Sequence, residues 1–315
     1  MPAESNPPVI AVDDLTRTYG DTTAVEDVSF EVHANEIFAL VGPNGAGKTT
    51  TVEILECLRT PTSGSANVLG YDVGEESRKI KQRIGVVPQS FHTFDRLTVR
   101  ENVTLARQLY EEGNDPETIL DQLDLTDYAG TRFAALSGGY QRRTGIAMAL
   151  VSDPDVLFLD EPTTGLDPAA RRSTWEQIDR LTDLGTTVVL TTHYMEEVEE
   201  LADRAALLVD GEIVAVDTVA DLVDTYGGDV KLVVNSSENR SEELEAELRS
   251  VAADVYQNDT GALVGVFEAR ADAQEAFGQL LDVEGEHSIE LTEAGMEDVF
   301  LRLAGGTVGS GGELQ

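Results

Sequence analysis

Residues 36–58 read EIFALVGPNGAGKTTTVEILECL, and this stretch decides the fold. Glu36 to Val41 (EIFALV) reads as a buried strand that runs into a glycine-rich loop. Behind the loop, Thr49 to Leu58 carries helical spacing. Strand, loop and helix in that order announce an α/β fold with a parallel sheet. Within the stretch, GPNGAGKT at 42–49 matches the pattern G-x-x-x-x-G-K-S/T. The glycines let successive backbone N–H groups turn inward around phosphate oxygens, and the helix that follows adds its positive end. The candidate nucleotide-binding residues are Gly42, Pro43, Asn44, Gly45, Ala46, Gly47, Lys48, Thr49 and Thr50. Lys48 would reach the β- and γ-phosphates, and the Thr49 hydroxyl would ligate Mg²⁺.

Further along, the apolar run VLFL (156–159) ends in Asp160 and Glu161. In α/β sheets the carboxyl ends of strands are where ligands lie. One carboxylate there can hold Mg²⁺, and its neighbour can orient and deprotonate an attacking water. The segments around these motifs complete an architecture. Strands VIAV and TAVEDVSFEV flank a Gly20-Asp21 turn and suggest an antiparallel β subdomain. Between about 90 and 140 the pattern is helical and polar, with segments Val99 to Glu112 and Pro116 to Leu123. Strands Val156 to Leu159 and Thr187 to Leu190 bracket a helix from Ala169 to Leu184, and Asp210-Gly211 signals a hairpin. After residue 226 the order β-α-β-β-α-β, with a short last helix, suggests a small ferredoxin-like α+β domain. A glycine-rich tail at 306–315 is expected to be flexible.

Composition narrows the function. The 315 residues include 59 acidic and 22 basic side chains, a net charge of 22 − 59 = −37. That balance argues against nucleic acid as a partner and against direct adhesion to anionic lipid. It suits a high-salt cytoplasm, where repulsion is screened. Ile146 to Val151, six residues, is the longest apolar run, against about 18 for a membrane-spanning helix. The first residues, MPAESNPPVI, lack the pattern of a signal peptide, and the single cysteine, Cys57, cannot form an internal disulfide. Cys57 reads as core packing, and Arg78, Lys79, Lys81 and Arg83 as a basic surface cluster.

Between the two motifs lies LSGGYQRR, 136–143, which resembles the signature sequence of the ATP-binding subunits of ABC transporters. Physically, Ser137, Gly138 and Gly139 open a helix whose N–H groups and hydroxyl face an anion. The resemblance implies that this anion is the γ-phosphate of ATP bound by an opposite subunit. One departure is visible: the fifth position, often Gln, is Tyr140. Other residues match the family one by one. Gln89 in GVVPQ is similar to the glutamine that touches Mg²⁺ or the lytic water and reports to the membrane partner. Asp167 in TTGLDP matches the aspartate of the loop after the catalytic carboxylates, His193 after TTVVLTT the γ-phosphate histidine, and Tyr19 in TRTYG the aromatic that stacks on adenine.

The resemblance covers residues 9–225 as a P-loop NTPase of the ABC type. Residues 226–305, ending in MEDVFLRLAG, are similar to the accessory domain of ABC-2-type exporters, including daunorubicin-resistance-type ATPases. It implies an ATPase with Glu161 as base, with Gln89 and His193 beside it, and with Thr49, Gln89 and Asp160 at Mg²⁺. It also implies a homodimer or a paired second ATP-binding subunit, a separate transmembrane permease, and a place on the inner face of the cell membrane. Two other classes fit less well. Soluble ABC ATPases of ribosomes or DNA carry two cassettes or a long coiled-coil insertion, whereas Ser137 follows Lys48 by 89 positions here. A non-catalytic regulatory subunit would lack Glu161.

Overall fold

The computed structural model describes residues 7–183, 185–227, 230–236, 241–258, 261–281, 287–304, 308–309 and 313–314. The chain opens with β1 (Ile10–Tyr19), β2 (Thr22–Val32), β3 (Ile37–Val41), α1 (Lys48–Leu55), β4 (Ser63–Val68), β5 (Tyr71–Asp72), α2 (Ser77–Lys81) and β6 (Ile84–Val87). A helical stretch follows, with α3 (Val99–Arg107), α4 (Pro116–Gln122) and α5 (Gly138–Leu150). Then come β7 (Val156–Asp160), α6 (Pro168–Asp183), β8 (Thr187–Thr192), α7 (Met195–Leu201), β9 (Arg204–Val209) and β10 (Glu212–Thr218). The last part holds α8 (Val219–Leu222), β11 (Val230–Ser236), α9 (Ser241–Val251), β12 (Asp254–Gln257), β13 (Leu263–Phe267), α10 (Arg270–Leu281), β14 (His287–Thr292) and α11 (Met296–Ala304). Two compact units result: Met1–Thr192 with Glu200–Val216, and His193–Glu199 with Asp217–Gln315.

The first unit is built on a six-stranded sheet of order β10-β9-β3-β8-β7-β6. Strands β9, β3, β8, β7 and β6 run parallel. β3 and β8 are buried at every residue, as strands covered on both faces must be. Register sets the site. Val41 pairs with Thr192 and Asp160 with Thr191, so β3, β8 and β7 end level and their following loops leave one edge together. An antiparallel sheet of order β2-β1-β4-β5 turns at Gly20-Asp21, as its sequence suggested. Phe30 of β2 stacks on Phe38 of β3, ring centroids 5.2 Å apart, which joins the two sheets in one core. In the helical stretch, α3 starts at a capping box between Thr98 and Glu101. Asp115 caps α4, with Pro116 in its first turn.

Two helices end earlier than their spacing predicts. α1 stops at Leu55 rather than Leu58, because Cys57 adopts φ +57°. Leu58 N–H then bonds back to Glu53 O, closing the helix in a Schellman-type turn. α3 stops at Arg107 rather than Glu112, because Leu109 and Tyr110 tighten into i→i−3 bonds to Ala106 and Arg107.

The second unit contains a four-stranded antiparallel sheet of order β12-β13-β11-β14, with α9 and α10 supplying Leu244, Leu248, Ala273 and Leu280 to its core. That is the order of a ferredoxin-like β-α-β-β-α-β sheet. Asp298 of α11 is buried and gathers three donors: Tyr256 Oη at 2.7 Å, Lys231 Nζ at 2.7 Å and Gly295 N at 2.8 Å. Glu199 Oε1 accepts from Met296 N at the start of the same helix. Near the C-terminus, Val308–Gly309 pairs antiparallel with Glu313–Leu314. Across so short a span, backbone donors and acceptors satisfy one another.

Candidate functional site

The phosphate loop begins where β3 ends. Its backbone is held from both sides: Gly42 N–H donates to Thr192 O, and Gly211 N–H to Ala46 O. Two glycines are demanded by close approach. A Cβ on Gly42 would lie 2.1 Å from Leu208 O, and one on Gly47 would lie 2.4 Å from Ala24 O. Gly47, with φ +105°, also caps α1 and brings no side chain to occupy the first-turn N–H groups. Among the described residues, the N–H groups of Gly45, Gly47, Lys48 and Thr49 have no hydrogen-bond partner in the chain. Together with the helix dipole they form an anion cradle.

Lys48 is buried and reaches back across this cradle, donating from Nζ to Gly42 O at 2.6 Å and Pro43 O at 3.0 Å. Burial lowers its pKa, while the Glu161 and Asp160 carboxylates pull it upward. Glu161 Oε1 lies 3.9 Å from Nζ. The other oxygen, Glu161 Oε2, accepts from Gln89 Nε2 at 2.6 Å and from Thr164 Oγ1 at 3.2 Å. Lys48, Gln89 and Glu161, from three separate stretches of sequence, thus meet at one carboxylate.

Glu161 adopts φ +45°, a conformation a β-carbon disfavours, and the surroundings hold it there. Its N–H donates to both the carbonyl (3.1 Å) and the hydroxyl (3.0 Å) of Thr191. Its carbonyl accepts from Arg142 Nη2 at 3.1 Å. Asp160, last residue of β7, accepts from the same Thr191 hydroxyl. Burial raises the Asp160 pKa, the Glu161 charge adds to this, and the Thr191 hydrogen bond and Lys48 oppose it.

Arg142 is a residue that sequence reasoning missed. From α5, buried, it donates to Pro88 O (2.9 Å), Gln89 O (3.1 Å) and Glu161 O. One guanidinium therefore ties the signature helix to the glutamine loop and to the carboxylate loop. A signal existed: Arg142, Ile146 and Ala149 fall on one helix face, so the arginine occupies a core-facing position. Thr191 is a second such residue, and its place near the end of β8 carries no signal of this role in the sequence.

The remaining candidates make local contacts of their own. Ser137 caps α5 without a side-chain bond to its own helix. A Cβ on Gly139 would lie 3.1 Å from Ala170 Cβ, so the absent side chain lets α6 pack close. Tyr140, the departure in the signature, packs on Tyr128 with ring centroids 3.9 Å apart, and Arg143 lies over its ring. Asp167 caps α6, accepting from Ala169 N and Ala170 N at 3.0 Å each. Tyr19 ends β1 with the Arg17 and Arg59 guanidinium groups 4.6 and 5.4 Å from its ring centre. His193 is buried beside Tyr194 in the segment that belongs to the second unit. The basic cluster is partly neutralised: Lys79 pairs with Glu76, and Arg83 with Asp155.

Known proteins resemble this chain in sequence and in fold. Residues 25–164 match the family model described as ABC transporter. The linearmycin resistance ATP-binding protein LnrL of Bacillus subtilis is 34% identical over 95% of this chain and 99% of its own length. The daunorubicin/doxorubicin resistance ATP-binding protein DrrA of Streptomyces peucetius is 34% identical, with 92% and 91% covered. Among solved structures, a dimeric ATP-binding cassette in a post-hydrolysis state, bound to ADP and Pi, superposes with a TM-score of 0.60. It is 29% identical over 66% of this chain and 98% of that one.

Proposed function

The chain belongs to the ATP-binding, ATP-hydrolysing subunits of ABC transporters, and we propose that it powers export through a separate permease by closing head to tail with a second such subunit. The second subunit is another copy of this chain or a paired homologue. Each ATP would lie between Gly42–Thr50 of one subunit, with Tyr19 toward the adenine, and Ser137, Gly138 and Gly139 of the other. The observation that carries the reading is the convergence of Lys48 and Gln89 on the Glu161 carboxylate. In this reading Glu161 takes the proton of the attacking water and Gln89 orients it, with His193 assigned to the γ-phosphate.

The donors here suit Mg²⁺, a hard cation that favours one or two carboxylates, water and phosphate oxygens. Thr49 Oγ1, Asp160 and the Gln89 amide oxygen would hold it. When bound, it neutralises phosphate charge.

Among the described residues no helix is long and apolar enough to cross a membrane, so the pathway is assigned to another polypeptide. A groove of about 390 Å³, open between β6, α3 and α5, is the docking surface we assign to it. Phe91 of its lining lies two residues after Gln89, which connects the groove to the hydrolytic site. Docking there would hold the chain at the inner face of the membrane. Residues 9–225 form the nucleotide-binding domain in this proposal, and 226–305 the accessory domain. The named relatives serve resistance to different compounds, so cargo selection is assigned to the permease.

Glu161→Gln tests the hydrolytic reading. Loss of the base should lower turnover about 10² to 10⁴-fold while ATP binding persists and a closed dimer accumulates. Hydrolysis at the wild-type rate would remove Glu161 from the role.

A further inference from the structure

The permease groove contains one group that neither folding nor hydrolysis explains. Its walls are apolar: Leu58, Val86 and Leu109 line it and are 61%, 36% and 78% exposed. Exposed apolar side chains gathered in one groove, rather than scattered singly, suit a partner's apolar face. Among the buried residues of the lining is a carboxylate, Glu56, at 6% exposure.

Glu56 sits at the C-cap of α1, the negative end of a helix dipole, where an anion is disfavoured. Its charged neighbours Asp160 and Glu53 carry the same sign. Among the described residues its carboxylate has no hydrogen-bond or ion-pair partner. Burial first, then those two neighbours, push its pKa up to about 8. Lys81, the other charged group of the lining, is exposed and bears on Cys57 instead. An uncompensated buried carboxylate is costly for the chain on its own. A cation delivered from outside would remove that cost.

We infer that Glu56 receives a lysine or arginine side chain from the permease helix that enters this groove. The inference rests on the groove being the permease site. The occupant it specifies is an amphipathic helix whose apolar face meets Leu58, Val86 and Leu109, and whose single cationic side chain reaches the floor. The charge supplies orientation and partner choice: a permease lacking it would leave Glu56 buried and unpaired.

The test uses the full chain co-expressed with a transmembrane ABC permease from the same organism, purified in detergent. A photo-crosslinking benzoylphenylalanine at position 109 should label one permease segment, and mass spectrometry should find a lysine or arginine within it. Glu56→Arg should cut co-purified permease at least tenfold, and changing that cation to glutamate should restore it to within twofold. Glu56→Gln, nearly isosteric, should weaken the complex about tenfold even if the arginine variant fails to fold. ATP binding should stay unchanged in the folded variants. Wild-type co-purification of Glu56→Gln, or a labelled segment without a cation, would overturn the role of Glu56 and leave the groove standing. A complex that co-purifies without crosslinking at 109 would overturn the groove itself.

Discussion

Arg142 Nη2 lies 3.1 Å from the carbonyl oxygen of Glu161, and the same guanidinium holds the carbonyls of Pro88 and Gln89. The Glu161 turn, the Gln89 loop and helix α5 therefore share a single fork. Lysine keeps the charge but offers no fork. Arg142→Lys should reduce turnover at least tenfold, since displacement by about 1 Å can cost 10²-fold, while nucleotide affinity changes less than threefold. Steady-state ATPase assays beside nucleotide titrations will measure the split. Equal losses in both would show that Arg142 supports the fold rather than the alignment of Glu161.

Lys48 spans the mouth of the phosphate loop through Gly42 O and Pro43 O. Its charge is the one cation facing the cradle that the loop itself supplies. Lys48→Ala should weaken ATP binding at least tenfold, unlike Glu161→Gln, which leaves it intact. A nucleotide titration of the variant at wild-type affinity would reject the phosphate-loop assignment.

Glu56 makes a pH-dependent stability difference. In the folded chain its pKa is raised from the ordinary 4.5 to about 8. Below 4.5 both folded and unfolded states are protonated and the group is neutral to stability. As pH rises toward 8 the unfolded chain ionises first, and stability falls by about 1.4 kcal/mol per pH unit. Above 8 the penalty is complete. Glu56→Gln should therefore be more stable than wild type by an amount that grows from pH 5 to pH 8 and then levels. Urea melts of both proteins at four pH values will show it. A difference independent of pH would mean that the carboxyl is not held protonated. A variant more stable alone yet weaker in complex is the signature of a group kept for its partner.

The charge of −37 predicts salt-dependent folding. Repulsion reaches about 30 Å at 0.01 M salt and about 3 Å at 1 M. The thermal midpoint should rise steadily with KCl across that range. An unchanged midpoint would assign the acidic surface another cause.

The phosphate loop, the carboxylate pair and the signature were legible in the sequence because each is local. Gly42 to Thr49 needs only a turn, its N–H groups and a helix start, all adjacent along the chain. Likewise Asp160 and Glu161 follow directly from the end of an apolar strand, and the β-α-β-β-α-β order of the last domain follows from alternating patterns. Local pattern was silent on two matters. It overran the ends of α1 and α3, since the left-handed Cys57 and the tightened turn at Leu109 interrupt otherwise good helical spacing. It also gave no sign that Gln89 and Glu161, 72 positions apart, would bond, that Arg142 would face three carbonyls, or that Glu56 would be buried within the field of the Asp160 charge. Those meetings depend on the register of β3, β8, β7 and β6, which levels the strand ends. Residue chemistry is written along the chain, but its electrostatics depend on which charges and carbonyls the packed sheet brings within a few ångströms of each other.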